Sequence, residues 1–483
     1  MNQLLLAPTD ILFFRDGRPM GGASSGHGEA WPLPTVTNAA LHAALWRSGL
    51  ATQARSHQRR IDHKPSGGGE RFGSLVTAGP FPVCTHGDAT TWFFPRPLDA
   101  DCQTKRQDDK ATAPADIQCL ATPQAPLPGA ASSNPLPLSV AATVPPTKDS
   151  PAPWWSEGAW NAYLGSPQRD DLAARLFTQS DSDFSDREPY IGIGIDSATG
   201  TQDGKSFYSA HYLRLRDGWN LGLFAATGDK YDDPALRGER QDLIPDLIAQ
   251  GHQLLVGGQQ RLCTAQCDRI ANRLPLPLGQ VTGFSTAPLH TLGDDKPKHL
   301  VKWVLLSPAI FPRIDAGVTQ DGQTIFPHDG GWLPSWIKDD SSRAVLLRAP
   351  TDPRDLKKES RETYRARIRG KDPISARLVA ALIGKVVPVT GWSLGTPDAQ
   401  SDTHARKAGA KPTHLAVPAG SVYYFACDTA GAAAQLAEAL NWHGKDPQPT
   451  TIRNRRSTLL GEKGFGLGVC GTWAPGALTS SSA

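Results

Sequence analysis

Several features that would settle the class of a protein are scarce in this 483-residue chain. Although 39% of its residues are hydrophobic, they never form an unbroken apolar run of bilayer-spanning length, so no transmembrane helix and no membrane partner are expected. Net charge is nearly absent. Fifty Lys and Arg against 47 Asp and Glu leave +3, which excludes a histone-like cationic coat and confines any nucleic-acid contact to a local patch. Cysteine is sparse and odd in number. The seven thiols fall at Cys84, Cys102, Cys119, Cys263, Cys267, Cys427 and Cys470; only Cys263 and Cys267 lie close, and no second ligand pair accompanies them. They read as idle or buried thiols, and we expect neither metal nor cofactor. The opening segment MNQLLLAPTDILFFRDGRP carries no basic leader and is broken by Pro8 and Asp10, which suits a cytoplasmic chain.

Glycine and proline, by contrast, abound, at 47 and 41 residues. Both oppose helix interiors and suit turns, so loops should be extensive and all-helical architectures lose ground. The length fits two domains of ordinary size. Residues 2–14 read as a core strand with an extended tail, followed by the turn Arg15-Asp16-Gly17-Arg18-Pro19 and a Gly/Ser loop over 21–28. A helix should then start with Thr35 or Thr37 as its cap, bury Leu41 and Leu45, and stop at Gly49. Residues 100–153 turn Pro-, Ala-, Ser- and Thr-rich and read as a flexible or extended insertion. Strands resume in EPYIGIGID to LGLFA, where Asp217-Gly218 predicts a hairpin between the last two. Near the end, SVYYFAC reads as a strand, residues 432–442 as a helix ended by Gly444, and GVCGTW as a closing strand. Between these, residues 354–371 hold eight basic side chains against three acidic ones, either a solvated helix or loop or a phosphate-facing rail.

Three catalytic or cofactor patterns fail on context. Gly200 to Ser206 has one residue too few for a P-loop and no helix to follow. Gly22 to Gly26 matches a nucleophile elbow without the strand and helix that strain its corner. Gly466 to Gly471 spells a dinucleotide fingerprint with only twelve residues left after it. Of the 13 histidines, His27 sits in a glycine loop and His42 on the first helix, with no paired acid in view. What survives is the loop of Gly461, Gly464, Gly466 and Gly468 with Lys463 and Phe465. Its backbone N–H groups and ammonium could cradle phosphate while the ring stacks a base, or its glycines could allow a turn to pack against a neighbour.

Five stretches, PTDILFFRDGRP, EPYIGIGID to KSFYSAHYLRL, LLVGGQQRLC, VPAGSVYYF and GEKGFGLG, resemble in this order the RAMP superfamily of CRISPR-associated proteins. More specifically they are similar to the family of subunit three of the Cmr complex, the repeat-tag-binding subunit of the type III-B effector. The resemblance implies an α+β fold of two ferredoxin-like (RRM-like) βαββαβ domains, which we place at 1–245 and 246–483, with the Pro-rich insertion in the first. It also implies a non-catalytic role: gripping the 5′ tag of the crRNA and docking to the large polymerase-type subunit and the backbone RAMP subunits. Arg15 and Arg18 match the family's first motif, and Lys463, Phe465, Gly461, Gly464, Gly466 and Gly468 its Gly-rich loop. Arg453, Arg455 and Arg456 are added from charge and proximity. The competing reading is a metal-independent endoribonuclease that processes CRISPR repeats, in which His27 would be the catalytic candidate.

Overall fold

The computed structural model describes residues 1–15, 25–26, 29–50, 75–87, 89–103, 116–119, 121–125, 133–142, 152–165, 178–179, 181–230, 240–318, 324–351, 360–393 and 409–476. Strand β1 (Asn2–Pro8) leads to helix α1 (Pro34–Arg47), β2 (Val76–His86), β3 (Ala89–Pro95), β4 (Trp154–Ser156), α2 (Glu157–Gly165) and β5 (Thr178–Gln179). Then follow β6 (Ser185–Ile195), β7 (Gln202–Leu215), β8 (Trp219–Ala226), α3 (Ile244–Ala249), β9 (Leu254–Leu255) and β10 (Leu262–Arg269). The remainder supplies β11 (Thr286–Leu289), β12 (Asp294–Leu305), α4 (Arg361–Arg369), β13 (Ala376–Leu382), β14 (Val387–Val389), β15 (His414–Ala416), β16 (Val422–Cys427), α5 (Ala430–Leu440) and β17 (Gly468–Thr472). The fold is mixed, mostly antiparallel sheet with few helices, and no helix among the described residues is long and apolar enough to cross a membrane.

Two sheets carry the core. The first has eight strands in the order β5-β4-β3-β2-β8-β1-β10-β9; the second runs β11-β12-β16-β13, with β17 also paired to β12. Alternation along each strand splits its side chains between two faces. Leu4 and Leu6 of β1 join Leu221 and Leu223 against Leu41 and Leu45 of α1, while Leu5 points the other way with Phe81 and Phe224. In the second sheet Val301, Trp303 and Phe425 face Leu436 and Leu440 of α5, while Leu300, Val304 and Tyr424 join the cluster that holds Leu5. The sheets thus share one inner core, wedged by Trp160 and Tyr163 of α2, with helices on their outer faces.

That inner core encloses a charge pair. Lys302, 2% exposed, sits within β12 and its Nζ lies 3.2 Å from Oδ2 of Asp99, itself 3% exposed, in the segment after β3. Tyr424 donates its hydroxyl to the same oxygen at 3.0 Å, and Tyr163 donates to the other. The ammonium also rests 3.7 Å from the centre of the Tyr163 ring. Asp99 therefore collects three donors from α2, β12 and β16 and ties the two sheets together.

Four expectations need correction. The division at residue 245 falls inside the first sheet, because β10 pairs with β1 from Asn2↔Arg269 to Pro8↔Cys263; the chain leaves that sheet only after Arg269. The 100–153 segment is partly docked: Leu136 and Leu138 are buried, and Leu138 N–H donates to Val379 O of β13 at 3.0 Å. Asp217-Gly218 does turn, with Gly218 at φ 79, yet β7 pairs with β6 while β8 pairs with β1 and β2. The apolar face of β8 outweighs the turn signal in choosing partners. Finally, α1 takes Leu33 as its cap position with Pro34 in the first turn and no side-chain cap, so the prolines and not a threonine set its start.

Candidate nucleic-acid interface

The Gly-rich loop joins the two halves. Gly461–Lys463 form one 3-10 turn, entered through Leu460 at φ 58 and left through Gly464 at φ 101. A Cβ on Gly464 would lie 3.0 Å from Ala78 Cα, so the loop lies flat on β2 of the first sheet. Phe465, beyond it, is fully buried with Ile310, Val389 and Ala416, and Leu33, just before α1, packs on the same cluster. Glu29 N–H in turn donates to Phe14 O at 3.0 Å, so the segment leading into α1 links the end of the first motif to the Gly-rich loop. The segment 29–33 thus touches both predicted motifs, Phe14 at one end and the Phe465 cluster at the other. Exposed Arg15 follows Phe14 directly; Arg18 and His27 lie outside the described residues.

The loop's chemistry differs from the expected anion cradle. Lys463 and Phe465 N–H groups donate to Leu460 O at 2.9 and 3.4 Å, Gly464 N–H to Gly461 O at 3.0 Å, and Gly466 N–H to Pro308 O at 2.7 Å. Leu467 N–H goes to Ser307 Oγ at 2.9 Å. These amides are already satisfied inside the protein, which leaves none of the five to hold phosphate. The glycines are there for close approach: a Cβ on Gly466 would stand 2.0 Å from Ser457 N, and one on Gly468 2.3 Å from Trp303 Nε1. Phe465, with its ring inside the core, offers no stacking face. Lys463 is half-buried and engaged within the protein.

The basic stretch before the loop divides in the same way. Arg453 is exposed. Arg456 is half-buried: its Nε donates to Ala439 O at 2.6 Å and its Nη2 to Asn454 Oδ1 at 3.4 Å, while Asn454 Nδ2 donates to Glu438 O and Asn441 O, both at 2.8 Å. With Trp303 Nε1 on Leu440 O at 3.2 Å, these groups serve the carbonyls that the end of α5 leaves unpaired. Arg456 is thus a helix-terminating cation, and burial pushes its guanidinium down to about 10. Arg455 is half-buried too and lowered to about 10 by burial, with Glu462 acting the other way; its Nε and Nη2 have no hydrogen-bond partner. Of the predicted cations that are described, Arg15 and Arg453 are thus exposed, whereas Arg455, Arg456 and Lys463 are half-buried.

Elsewhere the titratable groups serve the fold. His443 is buried; its Nε2 accepts from Gly279 N–H at 3.0 Å and its Nδ1 donates to Asp446 O at 3.0 Å, a neutral tautomer that burial holds at about 4. His42 is half-buried in α1. Burial pushes the thiols of Cys263 and Cys267 up to about 12 and about 11. Among the described residues no group of three His, Cys, Asp or Glu gathers where it could hold a metal ion. Residues that sequence reasoning missed are Asp99 and Lys302; a lysine between Val301 and Trp303 in the otherwise apolar run 300–306 was the available signal.

The profile of the family described as CRISPR-associated protein (Cas_Cmr3) matches residues 4–473. No curated protein is similar enough in sequence to count as a match. Among solved structures, a chain of the type III-B Cmr-beta bound to cognate target RNA and AMPPnP is 11% identical with a TM-score of 0.35, the match covering 87% of this chain and 86% of that one. A chain of the type III-B Cmr-beta bound to cognate target RNA is 13% identical with a TM-score of 0.36 over the same shares.

Proposed function

The chain belongs to the Cas_Cmr3 family of CRISPR-associated proteins, and from that premise we propose that it is the non-catalytic, RNA-binding subunit of a type III-B effector that holds the 5′ repeat-derived tag of the crRNA. In this role it docks to the large polymerase-type subunit and to the backbone subunits. The observation that carries the reading is the family match from residue 4 to residue 473, which spans both sheets and both motif loops. Strand order supports it. In β2-β8-β1-β10 and again in β13-β16-β12-β17 the first strand lies between the third and the fourth, with the second outside the third, the arrangement of two ferredoxin-like units. In this reading the exposed Arg15 and Arg453 and the half-buried Lys463 contact a single strand, and the buried glycines and Phe465 fix the loop that carries Lys463. A near-neutral chain with a few such cations suits one short RNA segment.

The test is binding of the full chain to two single-stranded RNAs of equal length, one beginning with the repeat-derived tag and one without it. Arg15→Ala, Arg453→Ala and Lys463→Ala should each weaken tagged RNA and lessen the preference for it, with unchanged thermal melting. Wild-type preference in all three would overturn the site. A specific cut in repeat RNA leaving a 2′,3′-cyclic phosphate, and lost in His27→Ala, would replace the reading with a repeat-processing nuclease.

A further inference from the structure

A second basic stretch of the chain lies outside the motif loops. Helix α4 contains Arg361, Arg365, Arg367 and Arg369 in nine residues, and with Lys371 the stretch 361–372 carries five cations against Glu362 and Asp372. That surplus of three in twelve residues equals the formal net charge of the entire chain, so this short segment concentrates an imbalance that the rest of the chain does not have.

The helix is built to stand out. Ser360 caps it, accepting from Thr363 N–H at 3.0 Å, and among its described side chains Tyr364 and Ile368 are half-buried while Glu362, Thr363, Ala366 and Arg367 are exposed. Its base is a firm stem: Val345 N–H donates to Ala376 O at 2.9 Å, Ile374 N–H to Leu347 O at 2.8 Å, and Arg348 bonds the carbonyl of Lys371. Arg361, Arg365 and Arg369 occupy successive i,i+4 positions, about 6 Å apart along the axis. Like charges so placed repel and weaken an isolated helix, which a polyanionic partner would reverse. Guanidinium groups in particular match the paired oxygens of phosphate.

The stem also continues the candidate interface. Leu346 N–H donates to Trp336 O at 2.8 Å, Trp336 Nε1 donates to Arg456 O at 3.4 Å, and Ser335 Oγ lies 2.6 Å from Thr458 Oγ1. Two hydrogen-bonded steps therefore connect the α4 stem to the strand of chain that carries Arg453.

We propose that α4 is a second, sequence-independent RNA contact, a rail for phosphates of an RNA strand that leaves the tag-holding site. The inference rests on the reading that this chain binds RNA, and it adds a surface and a mode of recognition. The test is the triple variant Arg361→Gln, Arg365→Gln, Arg369→Gln, which keeps good helix formers at each position. Full-chain binding of tagged and untagged RNA is measured as salt rises. The expected result is roughly tenfold or greater weakening of both RNAs alike at low salt, and a slope of log K against log salt reduced by about 0.7 for each arginine engaged. Unchanged affinity and slope for both RNAs overturn the proposal, as does unchanged RNA binding combined with loss of co-purifying protein subunits, which would assign α4 to an acidic protein surface. The outcome is separable from that of the motif loops: Arg15, Arg453 and Lys463 variants report on preference for the tag, the triple variant on affinity for any strand.

Discussion

The buried cluster between the sheets predicts an asymmetry that can be measured. Lys302 loses one carboxylate contact and one ring contact if its charge is removed, whereas Asp99 is the acceptor for Lys302, Tyr163 and Tyr424 together. Breaking a buried ion pair by removing one partner costs about 3–5 kcal/mol, so Lys302→Met should lose about that much. With a urea slope of about 2 kcal/mol per molar, its unfolding midpoint should fall by about 2 M. Asp99→Leu strands the ammonium and, in addition, removes the carboxylate bonds of Tyr163 and Tyr424, about 1.5–3 kcal/mol for each hydrogen bond to a charged group, so its loss should be greater, about 5 kcal/mol or more. In Asp99→Leu/Lys302→Met no ammonium is stranded, and the double variant should be more stable than Asp99→Leu alone. Tryptophan fluorescence during urea unfolding reports on it directly, since Trp155 and Trp160 both contact the Tyr163 ring. If Lys302→Met costs as much as Asp99→Leu, or the double variant is worse than both, Asp99 is not the hub described above.

Two further outcomes follow from the fold. His443 sits at about 4 when folded against 6.5 when free. The unfolded chain therefore takes up the proton first, and stability that is full above about pH 6.5 should decline by up to about 3 kcal/mol as pH falls toward about 4; His443→Gln should flatten urea midpoints compared between pH 7 and pH 5. Gly466 at φ 76 leaves a Cβ no room beside Ser457, so Gly466→Ala should cost about 1–3 kcal/mol for the left-handed backbone alone and more from the clash. Wild-type melting of Gly466→Ala would show that the loop does not pack as described.

Local pattern made many elements legible. Leu41 and Leu45 one turn apart gave away α1, and Gly49 at φ 72 ends it; SVYYFAC and GVCGTW became β16 and β17 because their apolar runs suit a sheet buried on both faces. Partnership was less legible. Nothing in the sequence near Asp217-Gly218 says that β8 will pair with β1 more than 200 residues earlier, or that β10 belongs to the first sheet. The candidate site suffered most. Arg456 and Phe465 look like surface chemistry in a string of Arg, Lys and Gly, yet their roles depend on where the end of α5 and the Ile310 cluster happen to lie. Composition identifies cations; only tertiary packing decides which of them reach solvent.

The position of β1 bears on how the chain is made. Its neighbours in the sheet are β8 and β10, so during synthesis β1 has both edges open until residues 219–226 and then 262–269 emerge. At about 5–20 residues per second that interval lasts on the order of 10–50 s, during which an apolar strand with Leu4, Leu5 and Leu6 waits for long-range partners. Nascent chains stopped before Arg269 should therefore be held by chaperones or aggregate, and a slow stretch of translation just after that residue would shorten the vulnerable period by letting the sheet close first.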